Sequence, residues 1–110
     1  MKTKKLHVEE IPPYKQTPAD RRERENQKIR TDALRREAES QFKTPISERN
    51  VRLTIKYCRC KGRSDAANII GGIADALNEI AYDDDRQITE IYYQETRGNV
   101  DEYQVIVEKA

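Results

Sequence analysis

Arg63-Ser-Asp-Ala-Ala-Asn-Ile-Ile-Gly-Gly-Ile-Ala-Asp-Ala-Leu-Asn-Glu-Ile-Ala-Tyr-Asp-Asp-Asp-Arg-Gln-Ile88 is the stretch that decides the fold. Ser64 or Asp65 opens a helix, because a short polar side chain can accept hydrogen bonds from the free N–H groups of the first turn. At 100° per residue, Ile69, Ile70, Ile73, Ala74, Leu77, Ile80 and Ala81 share one face. Asp65, Asn68, Gly72 and Asp75 gather on the other, so the spacing predicts a helix over 64–81 lying across a sheet. Asp83, Asp84 and Asp85 follow where the helical pattern stops, and a β-like segment begins at once. Read this way, acidic groups from both ends of the helix return toward one surface, where a cation would hold them.

Upstream, Val51, Leu53, Ile55 and Tyr57 alternate with Arg52, Thr54, Lys56 and Cys58, the period of a strand with one buried face. This strand, at about 51–60, leads into Arg59-Cys-Lys-Gly-Arg63 and places Arg59, Lys61 and Arg63 beside the helix start, where they are expected to contact DNA phosphates. Downstream, 87–95 and 102–109 read as strands. Thr96-Arg-Gly-Asn-Val-Asp101 between them reads as a hairpin loop, on the strength of Gly98 and Asn99. Further back, 1–17 is an extended segment broken by Pro12-Pro13, with a weak edge strand at 4–8. A long charged helix covers 18–43, with Pro18 at its first position. Its apolar stripe is narrow: Ile29, Ala33, Leu34, Ala38 and Phe42. Its mixed charges suit a solvated face laced with i, i+4 pairs better than a phosphate-gripping arm. The expected fold is α+β, a small mixed sheet of three to four strands with two helices in the order (β)-α-β-α-β-β, one domain over 1–110 with its core and acidic site in 51–109.

Composition narrows the function. Of 110 residues, 37% are charged and 35% apolar, mean hydropathy is -1.02, and the net charge is +1. Attraction to nucleic acid must therefore come from local patches. No apolar run approaches the ~20 residues of a membrane span and no secretory signal is visible, so a cytoplasmic protein is expected. Cys58 and Cys60 point to one side of a strand, with no second pair or neighbouring His to complete a zinc set, and read as reduced structural thiols. Gly71-Gly72 lies inside a helix and matches no P-loop. The lone His7 argues against His-based acid–base chemistry. Three consecutive aspartates beside a basic run fit a hard divalent ion with a phosphate next to it, although an Asp run is more often a solvated loop.

Residues 51–108 resemble the RusA family of Holliday-junction resolvases. The resemblance is carried by Asp65-Ala-Ala-Asn68, by Asp75-Ala-Leu77, and by Tyr82 followed by Asp84-Asp85-Arg-Gln-Ile88. It implies a homodimer that binds branched DNA and cuts four-way junctions with Mg2+ or Mn2+, without an organic cofactor, in bacteria, their prophages or phages. By position it implies Asp65, Asp84 and Asp85 as catalytic acids and metal ligands. Ala67 stands where many members have a second Asp, and Gly71 where many have a Lys. Asp75 or Asp83 could replace the missing acid, and Lys61 or Arg63 the missing charge. Two other functions stay open: a branched-DNA-binding relative that has lost cleavage, and a small α+β interaction module.

Overall fold

The computed structural model describes residues 3–110. Its elements are β1 (Lys4–Val8), α1 (Arg21–Gln41), β2 (Val51–Arg59), α2 (Ala66–Ala76), a 3₁₀ turn (Asp85–Gln87), β3 (Ile88–Arg97) and β4 (Glu102–Lys109). The expected class and order hold: two helices on a four-stranded mixed sheet, ordered β1-β4-β2-β3. No helix among the described residues is long and apolar enough to cross a membrane.

β2 alternates as its sequence requires, with Val51, Leu53, Ile55 and Tyr57 buried under the helices. It is central because strands pair with it on both edges: β3 in parallel and β4 antiparallel. The hairpin expected between β3 and β4 does not form. The β2–α2–β3 crossover sets β3 parallel on one edge of β2, which leaves the other edge for β4. Tyr103, Val105 and Val107 of β4 need burial on both flanks, and they get it between β1 and β2. The 98–101 segment therefore passes across the end of β2, where the Gly98 N–H bonds to the Arg59 carbonyl at 3.0 Å.

Both helices are shorter than their patterns suggest, and local hydrogen bonding explains each end. Asp20, not Pro18, starts α1, its carboxylate accepting from the Glu23 N–H at 2.8 Å. α2 stops near Leu77 because Glu79 turns to a positive φ of 69° and its N–H bonds to the Tyr82 carbonyl. Ala81 and Tyr82 still reach the core, and the Tyr82 hydroxyl returns to the Ala74 carbonyl at 2.7 Å.

The polar side of α2 is not open. Segment 12–16 lies directly over it, with the Lys15 N–H bonded to the Asn68 carbonyl at 2.8 Å. Gly72, expected on the exposed face, is buried there. A methyl group at Gly72 would stand 2.5 Å from the Tyr14 N and Cα, so only glycine lets the two backbones approach this closely. From α1, Arg35 donates to the Ala76 carbonyl at 2.8 Å and satisfies a free acceptor at the end of α2.

Candidate acidic centre and basic loop

β2 and β3 run in parallel, with Val51 opposite Ile88 and Arg59 opposite Arg97. The chain leaves the far end of β2 to enter α2 and returns to the near end to start β3. Asp65 and Asp85 therefore belong to opposite ends of α2. Asp65 caps the N-terminus, accepting from the Asn68 N–H at 2.8 Å. Asp75 is ten residues further along, about 15 Å at the helical rise. Within one chain the expected meeting of Asp65 with Asp84 or Asp85 does not occur.

What does assemble is the C-terminal end of α2. Asp85 lies beside Asp75, Asp84 and Asn78. Partial burial first, then the two neighbouring carboxyls, push its pKa above the usual carboxylate range, while Asn78 pulls the other way. Asp84 is held below that range by the Arg86 backbone N–H at 2.9 Å and then by the Arg86 guanidinium at 3.1 Å. It also forms a capping box with Gln87. The Asn78 amide N–H side faces Asp85, and its buried Oδ1 has no hydrogen-bond partner, a costly state for an amide oxygen. Asp83 faces away, accepting from the Ser47 hydroxyl at 2.8 Å.

A lysine that the sequence pattern left unmarked completes this end. Lys15 runs its side chain over Gly71, where a methyl group would lie 3.4 Å from its Cβ and Cδ. Its ammonium ends 3.4 Å from Asp75. The position occupied by Gly71 is thus roofed by a lysine from another segment. No local signal marks Lys15, because it acts through the crossing of 12–16 over α2.

At the N-terminal end of α2, the three expected phosphate contacts separate. Arg59 is buried, bonding Glu95 through two oxygens at 2.8 Å, donating to the Gly62 and Ser64 carbonyls at 2.8 Å, and lying 5.1 Å over the Tyr57 ring. These contacts use four of its five N–H donors, so it is a structural anchor. Lys61 and Arg63 remain exposed and line a groove of about 470 Å³ with Tyr14, Arg30 and Gly62.

The loop that presents them is pinned by Asp101. Its carboxylate accepts from the N–H groups of Cys60, Lys61 and Gly62 at 3.0, 2.7 and 3.1 Å, and from the Tyr57 hydroxyl at 2.6 Å. Partial burial opposes the charged form, but these four donors outweigh it and hold Asp101 at about 2. A carboxylate depressed on folding stabilises the protein above its unfolded pKa, near 3.8, and loses that contribution as pH falls through about 2. Asp101→Asn should therefore lower the denaturation midpoint fully at pH 7, with the gap to wild type closing as pH approaches 2. A gap independent of pH would contradict the role given to the charge.

The family model described as Endodeoxyribonuclease RusA matches residues 12–108, nearly the whole chain. The chain belongs to the RusA endodeoxyribonuclease family. That family implies nuclease action on Holliday junctions, and so on branched DNA. The match begins before the residues that carried the sequence resemblance and takes in Lys15 and α1. Comparison with curated protein sequences finds no significant match.

Proposed function

We propose that this RusA-family chain is a divalent-metal-dependent endonuclease that cuts four-way DNA junctions as a homodimer, in the cytoplasm of a bacterial host and of phage or prophage origin. The observation that carries the metal is Asp85, pressed between the carboxyls of Asp75 and Asp84. This all-oxygen donor set suits Mg2+ or Mn2+ and offers the opposite charge that Asp85 lacks. Asp85 with Asp75 or Asp84 would hold the ion. Among the described residues no three aspartates have ligand oxygens all within 4.8 Å of one another, so an ion bound without side-chain movement takes at most two of them and completes its shell with water and phosphate. When bound, such an ion polarises a phosphodiester and makes a bound water more acidic.

The chain's own groups do the rest. Lys15 balances Asp75 and sets a cation beside the scissile phosphate. Lys61 and Arg63 grip the backbone at the other end of α2. Asp65 reaches a metal centre only if two copies pack with their α2 helices antiparallel, so that the start of one meets the end of the other. A twofold dimer supplies that arrangement twice, matching the two equivalent strands of a junction. β3 is an edge strand whose Ile91, on the helix-covered face, is still 45% exposed, an uncovered strip beside α2 where a second copy would sit.

Ala67 supports a second reading, a junction-binding protein without cleavage, because it stands where many family members carry a second acid. Incubation of the homogeneous protein with a synthetic four-way junction separates the two. Paired nicks in Mg2+ or Mn2+ and none in EDTA support the nuclease. Tight binding without nicks in either ion supports the binder. Junction affinity no better than that for linear duplex would leave an interaction module instead. For the grip itself, Lys61→Ala with Arg63→Ala should lower the salt slope of junction binding by about two units per chain, and an unchanged slope would reject these contacts.

A further inference from the structure

The open face of the sheet, opposite the helices, carries a second cluster unrelated to the acidic centre. His7 lies on the outward row of β1, and Glu9 follows two residues later with the same facing. Across from them, β4 begins at Glu102, whose other neighbour is Cys58 on β2. His7 Nε2 stands 3.6 Å from Glu102 Oε2, and one ligand atom from each of His7, Glu9 and Glu102 lies within 4.8 Å of the other two.

We infer that His7, Glu9 and Glu102 form a binding site for a divalent transition ion, with Zn2+ preferred. An imidazole nitrogen with two carboxylates is a donor set for Zn2+ rather than for Mg2+, which takes oxygen ligands. Tetrahedral Zn2+ with bonds near 2.1 Å holds its donors roughly 3.4 Å apart, close to the His7–Glu102 separation already present. Two of the three ligands sit on paired strands, so little backbone ordering remains for binding to accomplish. Neutral imidazole and two carboxylates also cancel the charge of the ion. One side stays open: His7 and Glu102 border a cavity of about 250 Å³ shared with Lys56, Cys58 and Gln104, which leaves a fourth position for water. The bound ion ties the end of β1 to β4, the point from which segment 9–20 departs to cross α2.

The test is Zn2+ binding by the full chain after EDTA treatment and buffer exchange, with Co2+ absorption as a spectroscopic check. One equivalent per chain is expected, together with a melting temperature that rises with Zn2+ concentration. His7→Ala and Glu102→Gln should each weaken binding by about tenfold or more, as loss of a ligand costs at least what loss of a supporting contact does. Both side chains are on the surface, so the variants should melt like wild type in EDTA. The Asp75→Asn/Asp85→Asn double variant should bind Zn2+ as wild type does, which separates this site from the acidic centre. No saturable Zn2+ binding, or unchanged affinity in His7→Ala, would overturn the inference. So would loss of binding in Cys58→Ser/Cys60→Ser with retention in His7→Ala.

Discussion

Asp85→Asn should reduce junction cleavage by at least about a hundredfold while junction binding stays within a few-fold of wild type. The substitution keeps shape and removes charge at the one carboxylate that touches Asp75, Asp84 and Asn78 together. On the proposed reading, phosphate binding rests on Lys61 and Arg63 at the other end of α2, so it should survive. A second effect has the opposite sign. The folded environment raises the Asp85 pKa, so ionisation above its unfolded value works against folding when no metal is present. In EDTA at neutral pH the variant should therefore melt higher than wild type, and Mg2+ should stabilise wild type more than the variant. Calorimetry with and without Mg2+, beside single-turnover cleavage, reads both effects. Wild-type rates in Asp85→Asn would remove it from the centre.

Arg59→Ala should be the most damaging single change to stability. Its side chain is 10% exposed, and its partner Glu95 is 24% exposed. Removing it strands Glu95, which the Arg59 guanidinium first and the Tyr93 hydroxyl next hold at about 2, and it frees the Gly62 and Ser64 carbonyls. Breaking such a pair from one side costs on the order of 3 kcal/mol, with Glu95's partial exposure keeping it from the top of the range. For a chain this size that is a fall of roughly 10–20 °C. Arg59→Lys should recover little, because one ammonium cannot serve a two-point carboxylate bond and two carbonyls at once. Glu95 contributes above its unfolded pKa and loses that contribution as pH falls through about 2, so the gap should narrow in acid. Urea denaturation at pH 7 checks this; a loss below about 1 kcal/mol would place Arg59 among ordinary surface charges.

These two residues also show what a sequence reading can and cannot reach. The alternation of Val51, Leu53, Ile55 and Tyr57 is local, and so β2 was legible with its buried face. Arg59 continues that same inward row, so its burial was implied by the period, yet its charge suggested a phosphate contact. The aspartates after α2 were legible as a group because they adjoin in sequence. Their partner Asp75 is brought in by the turn at Glu79, where an αL residue ends the helix early. The separation of Asp65 from Asp85 follows from the parallel pairing of β2 and β3. Its consequence for the two ends of α2 needed the register. The placement of β4 between β1 and β2 was out of reach, because a Gly-Asn loop specifies a turn and not which strand lies beside it. Lys15 was hidden for the same reason: it acts through a crossing of distant segments, and Gly71-Gly72 marks the crossing only once Tyr14 is seen above it.

The arrangement of the acids across two copies is tested most directly by mixing variants. Asp65→Asn and Asp85→Asn are each expected to be inactive alone. If one centre takes Asp65 from one copy and Asp85 from the other, a mixed dimer carries one fully mutated centre and one intact one. Co-refolded mixtures should then recover Mg2+-dependent nicking of one junction strand, approaching half the wild-type site activity in the mixed species. A mixture as inactive as either parent, under conditions where wild type cuts, would contradict a centre shared between two chains.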